Sequence, residues 1–99
     1  MSLTLFTEKV AELASQNPDF QSKVKFKTEQ GVVLLDATSS PATVSNDAEA
    51  EADCEIGLKL EDGLKMMDKK LSATTAFMVG KLKISGDMGV AMKVAKIIG

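Results

Sequence analysis

Lys81-Leu82-Lys83-Ile84-Ser85-Gly86-Asp87-Met88-Gly89-Val90-Ala91-Met92-Lys93 changes its period part-way along. Lys81 to Ile84 alternates polar with apolar residues, the period of a half-buried strand. Ser85-Gly86 breaks that strand, and Asp87 is placed to cap a final helix. Between Met88 and Ile98 only Lys93 and Lys96 are polar, and they lie on one side. Met88, Ala91, Met92 and Ala95 form one apolar stripe, with Val90, Val94 and Ile97 forming a second beside it. A helix packed on one face of a sheet needs a narrower stripe than this. The surplus has to meet more protein, another subunit, a membrane or a bound apolar ligand.

Working upstream, Ser72 is placed to cap a short helix from Ala73 to Val79, with Ala73, Ala76 and Phe77 inward and Gly80 as its stop. Before it, Glu61-Asp62 and Lys69-Lys70 carry the charges that suit the two ends of a helix dipole. Leu64, Met67 and Leu71 form the apolar side of that helix. Alternation predicts a strand from about Ala52 to Leu60, with Ala52, Cys54, Ile56, Leu58 and Leu60 on one face. The stretch from Asp47 to Asp53 is rich in helix-favouring Ala and Glu but leads into that alternation, and is read as a loop. Thr43-Val44-Ser45 is a short, weak strand after the turn Thr38-Ser39-Ser40-Pro41. Lys23 to Lys27 is a strand with Val24 and Phe26 inward. Across the turn Glu29-Gln30-Gly31 it pairs with Val32 to Leu35 as a hairpin. Four successive apolar residues in that second strand imply cover on both faces, at least in part. Residues 3–16 are a helix with Phe6, Val10, Leu13 and Ala14 on one side, ended by Asn17-Pro18. The order predicts one α+β domain over residues 1–99, with helices stacked on one face of a mostly antiparallel sheet.

Charge is distributed unevenly. Residues 1–56 carry four Lys against ten acids, and residues 57–99 eight Lys against four, so the two parts have net charges of −6 and +4. All twelve basic residues are Lys. Without Arg, the side chain that reads phosphate and guanine bidentately, no nucleic-acid partner is expected. Lysines scattered over a surface keep a protein soluble, and they also suit transient contact with an anionic membrane. No stretch is long enough to span a bilayer, and Met1 to Glu8 lacks a secretory pattern. With a single cysteine, Cys54, no internal disulfide can form. A soluble, intracellular, cytoplasmic protein is expected.

Catalytic constellations are missing. The chain has no His, which removes the commonest general base and most zinc sites. Cys54 is flanked by Asp53 and Glu55, which would raise rather than lower its pKa. The acids Asp47, Glu49, Glu51, Asp53 and Glu55 lack the glycine and distal glutamate of a calcium loop. Glu61-Asp62 are adjacent on a helix and do not face each other. The glycines at 80, 86 and 89 match no phosphate loop. No enzyme activity, cofactor or metal is expected. Five of the six Met residues fall at position 66 or later. Met fills irregular spaces, so these suit either an ordinary core or a pocket for varied acyl chains.

The block Ala76-Phe77-Met78-Val79-Gly80-Lys81-Leu82-Lys83-Ile84-Ser85-Gly86-Asp87-Met88-Gly89-Val90-Ala91-Met92-Lys93 strongly resembles the sterol carrier protein type 2 family. Ala52 to Ile56 ahead of Glu61-Asp62-Gly63-Leu64 is similar to that family's strand and acidic helix start, and the resemblance extends over essentially the whole chain. It implies a five-stranded sheet with helices over one face and an apolar tunnel between them. It implies non-catalytic binding and transfer of fatty acid, acyl-CoA, sterol or phospholipid. It places Phe77, Met78, Leu82, Ile84, Met88, Val90, Met92 and Val94 near the tunnel as ligand-binding residues. Members occur alone and within larger proteins, and this chain is read as a stand-alone domain. Its end, Ile97-Ile98-Gly99, differs from the peroxisomal tripeptide of some members. It also lacks their longer tail, which leaves Ile97 and Ile98 exposed or shared with a partner. The alternative use of the apolar helix is as a protein-interaction or dimerisation module. The oligomeric state stays open.

Overall fold

The structure is a computed structural model and describes residues 2–98. Met1 and Gly99, the first residue of the N-terminal stretch and the last of the C-terminal tripeptide, lie outside the described residues. The elements are α1 (Leu3–Gln16), β1 (Lys23–Thr28), β2 (Gly31–Asp36), β3 (Thr43–Ser45), β4 (Cys54–Gly57), α2 (Leu60–Met67), α3 (Ala73–Met78), β5 (Lys83–Gly86) and α4 (Met88–Ile98). The strands form one sheet in the order β3-β2-β1-β4-β5. It is mixed: β1 pairs with β4 in parallel, and the other pairings are antiparallel.

Period-two alternation gives the sheet one apolar face. Val24 stands opposite Leu35 and Cys54, Phe26 opposite Val33 and Ile56, and Ile56 opposite Ile84. Helix α1 lays Phe6 and Val10, both fully buried, over this face. The Phe6 and Phe26 rings meet edge to face, 5.7 Å between centroids. Gly63 lets α2 approach α1 closely: a Cβ there would lie 3.0 Å from the Phe6 ring, which would have to shift by a few tenths of an ångström. On the opposite face the Lys25 ammonium donates to the Ala48 carbonyl at 3.1 Å, so the 46–53 connection crosses there. Leu34 stands opposite Lys25 in the register and is buried too. β2 is therefore covered on both faces, as its apolar run requires.

Several boundaries differ from those expected, each for a reason distant in sequence. The strand predicted to reach Leu60 ends at Gly57. Lys59 supplies no side-chain cap to α2; instead the Glu29 carboxylate, in the β1–β2 turn, accepts from the Leu60 amide at 2.8 Å. Leu60 is buried as the first residue of a helix rather than the last of a strand. α2 ends at Met67 because Lys69 adopts a left-handed conformation, φ 62°. The Lys69 ammonium donates to the Ile98 carbonyl at 3.1 Å, so its charge serves the C-terminus of α4 instead. Ser85 and Gly86 extend β5 rather than break it, pairing with Glu55 and Cys54. Lys81 and Leu82, expected in that strand, are held by the Ala76 carbonyl of α3. Ser72, Gly80 and Asp87 take the capping and stop positions expected of them: Ser72 Oγ accepts from the Thr75 amide, Gly80 has φ 82°, and Asp87 Oδ1 accepts from the Gly89 and Val90 amides.

Gly86 is the tightest point. Its φ is 94°, and a Cβ there would lie 2.6 Å from the Asp53 carbonyl oxygen. Gly86→Ala is expected to cost about 2 kcal/mol or more, from left-handed strain plus a clash with backbone, measured as a lowered urea midpoint. Glu29 gives a second test. Accepting the Leu60 amide holds its carboxyl below the ordinary 4.5. The stabilisation is present above that value and is lost as pH falls through the lower folded-state pKa. Thermal melts of wild type and Glu29→Ala are expected to differ at neutral pH and to converge in acid.

Candidate functional site: an apolar cavity beneath the last helix

β5, Gly86 and α4 follow one another without a loop, so α4 folds back over the β4–β5 half of the sheet. α1 occupies the other half. Between α4, α3 and the sheet lies a cavity of about 490 Å³. Phe26, Ile56 and Ile84 form its floor; Met66, Ala73 and Phe77 contribute side wall; Met88, Ala91, Met92 and Ala95 come down from α4. Ile98 and Val94 line it as well. Its size falls within the range of about 300–1,000 Å³ usual for small-molecule sites. It opens to solvent where Phe77 and Met88 keep 47% of their surface exposed and Met92 keeps 63%. Thr74 and Lys96 bring the polar side-chain groups among the lining residues, and Lys96 the one charge.

Of the residues placed near the tunnel by resemblance, Phe77, Leu82, Ile84, Met88, Met92 and Val94 line this cavity. Met78 and Val90 do not. Met78, the last residue of α3, is 78% exposed, whereas Val90 is buried in the core. Phe77 was expected to face inward with Ala73 and Ala76; those two are buried, and Phe77 forms the rim. Ile97 and Ile98, expected to be exposed or shared with a partner, are covered within the chain: Ile98 is 5% exposed, and Ile97 packs partly buried against the core. The free apolar surface of α4 is at its start, Met88 and Met92. The lining residues not placed there from sequence are Phe26 and Ile56 in the floor, Met66, Ala73 and Thr74 at the side, and Ala91, Ala95, Lys96 and Ile98 on α4. Inward alternation marked Phe26 and Ile56 as core, but no pattern separates a core residue from one facing a cavity.

Other candidate chemistry does not assemble. Among the described residues, no group of three or more His, Cys, Asp or Glu could hold a metal ion. Cys54 is 1% exposed, and burial, together with Asp87, Asp53 and Glu55, pushes its thiol up, away from a nucleophile.

The SCP-2 sterol transfer family matches the chain over residues 4–99. The chain belongs to that family. SCP-2 domains bind and transfer lipids, and the chain has the family's α+β fold. Sterol carrier protein 2 of Rattus norvegicus is 31% identical over 103 aligned positions, covering 94% of this chain and 19% of that protein. Hydroxysteroid dehydrogenase-like protein 2 of Xenopus tropicalis is 42% identical over 72 residues, covering 72% of this chain and 17% of that protein. The chain thus spans about a fifth of the length of these curated relatives. Among solved structures, palmitated SCP2L2 of Aedes aegypti superposes with a TM-score of 0.73 at 27% identity, covering 99% of this chain and 95% of that one. Sterol carrier protein domain 2 of Helicoverpa armigera gives 0.73 at 25% identity, over 93% and 79%. No helix among the described residues is long and apolar enough to cross a membrane.

Cys54, buried in β4 two residues before the floor residue Ile56, tests how firmly that strand is held. A thiol-reactive chromogenic disulfide is expected to label native protein about a hundredfold more slowly than urea-unfolded protein at the same pH. Equal rates would show that β4 opens freely.

Proposed function

We propose that residues 1–99 act as one non-catalytic lipid-binding domain whose ligand is a single long acyl chain held beneath α4. The observation that carries this reading is the cavity itself, apolar on floor and walls with one charged group, Lys96, among its lining residues. Phe77, Leu82, Ile84, Met88, Met92 and Val94 are the ligand-contacting residues in this proposal. Partition drives binding: each methylene moved from water into the cavity contributes about 0.8 kcal/mol. The Lys96 ammonium attracts an anionic headgroup and Thr74 offers it a hydroxyl, so a fatty acid or acyl thioester with an anionic carrier is favoured over a neutral lipid. No cofactor takes part. Delivery proceeds by transient contact with an anionic membrane through the Lys-rich part of the chain. The single unpaired thiol supports a reducing, cytoplasmic setting.

Native mass spectrometry of freshly purified protein and displacement of a fluorescent fatty acid test the proposal. A co-purified acyl lipid and micromolar displacement are expected. Shortening a competing fatty acid by two methylenes is expected to weaken it about fifteenfold. Lys96→Met is expected to narrow the preference for a fatty acid over the matching alcohol. No lipid carried through purification and no displacement would overturn the reading.

A further inference from the structure

The cavity has an apolar lip that the ligand alone does not explain. Phe77, Met78 and Val79 end α3 in succession, and they are 47%, 78% and 62% exposed. Met88 and Met92 are exposed across the mouth. Apart from Leu5 on α1, these are the exposed large hydrophobic residues of the described chain. Met78 and Val79 do not line the cavity, so packing against bound lipid gives no reason for their exposure. Single exposed hydrophobes are ordinary, whereas a cluster at the entrance to a site marks a contact surface.

Charge decides what that surface meets. Met88, Met92 and Lys96 stand four apart, in one line along α4. Lys93 lies beside Met92 and is exposed, and neither Lys93 nor Lys96 has an ion-pair partner among the described residues. Lys81 follows two residues after Val79, paired loosely with Asp62 at 3.7 Å. The acid nearest in sequence, Asp87, is occupied by the Gly89 and Val90 amides at the start of α4. Helix α1 is the reverse. It carries Glu8 and Glu12, and its one lysine, Lys9, is tied to Asp68 at 2.8 Å. A second copy of the chain is a poor occupant, because a two-fold contact through the lip would bring like-charged lysines together.

We propose that the Phe77-Met78-Val79 lip, with Met88 and Met92, inserts into the interfacial layer of an anionic bilayer while Lys93 and Lys96 engage its headgroups. This rests on the lipid-carrier reading and adds the place and orientation of the membrane contact. The mouth of the cavity then opens onto the acyl layer, and a ligand moves between the two without crossing bulk water. Apolar insertion and anionic attraction act together at such a surface, and the second is screened by salt.

Co-flotation of the 99-residue chain with liposomes of phosphatidylcholine, with and without 30% phosphatidylserine (about a third anionic lipid, chosen to give a strongly negative surface), tests the proposal. Wild type is expected to float with the anionic vesicles and to be released by salt. Met78→Gln with Val79→Gln, which alters no charge and no lining residue, is expected to lower vesicle partition about tenfold while leaving vesicle-free fatty-acid displacement unchanged. Lys93→Gln is expected to lower it about fivefold. Leu5→Gln, an exposed apolar control on α1, is expected to float like wild type. The proposal is overturned if wild type ignores anionic vesicles, if the lip variant floats like wild type, or if Leu5→Gln carries the loss. It is also overturned if sedimentation shows a dimer that the lip variant dissociates. Failure of fatty-acid displacement by wild type would instead refute the lipid-carrier reading, because that assay contains no membrane.

Discussion

The parallel pairing of β1 with β4 governs the rest of the molecule. β1, β2 and β3 form an antiparallel meander, so β3 runs in the same direction as β1. To place β4 beside β1, the chain must return from the far edge of the sheet across two strands. Parallel neighbours need such a crossover, and it is usually a helix. Here residues 46–53 make it without one, on the face where Lys25 holds the Ala48 carbonyl. The other face is left wholly to the helices. α1 takes the β2–β3 half, α4 takes the β4–β5 half, and the space between α3, α4 and the floor is not filled by side chains.

Two tertiary contacts brace that arrangement, and neither has a local sequence signature. Glu29 holds the first amide of α2 from a turn 31 positions away, at 2.8 Å. Lys69 holds the last turn of α4 from the end of α2. Gly86 joins the sheet to α4 through a position where any side chain would strike the Asp53 carbonyl. The roof of the cavity is therefore pinned at both ends, and its exposed apolar side chains, Met88 and Met92, lie in its N-terminal half.

Local periods and caps were legible in the sequence. Helix α1, the β1–β2 hairpin, the Ser72 and Asp87 caps and the Gly80 stop all follow from residues within a few positions of one another. What was not legible depended on distant partners. The alternation from Ala52 to Leu60 runs unbroken, yet the strand ends at Gly57 and the distant Glu29 holds the Leu60 amide at the start of α2. Phe77 has the spacing of a core residue, but the sheet edge beneath it leaves a void. Ile98 lacks a visible cover in sequence, but it is buried and its carbonyl is held by Lys69. The stripe of α4 was too wide for a one-sided helix, and the structure divides it: Val90, Ala91, Val94 and Ile98 are core, and Met88 and Met92 border the opening. The surplus that first raised the alternative of a dimerisation face lies at the mouth of the apolar cavity.

The cavity wall mixes two kinds of side chain with different consequences. Met66, Met88 and Met92 bend to fit, whereas Ala73, Ala91 and Ala95 are small and rigid and set the bore. A larger residue at any of these alanines would narrow the space without touching a sheet hydrogen bond, a cap or the Gly86 junction. The bore of the cavity can thus change by single methyl-to-branched steps while the framework around it stays the same.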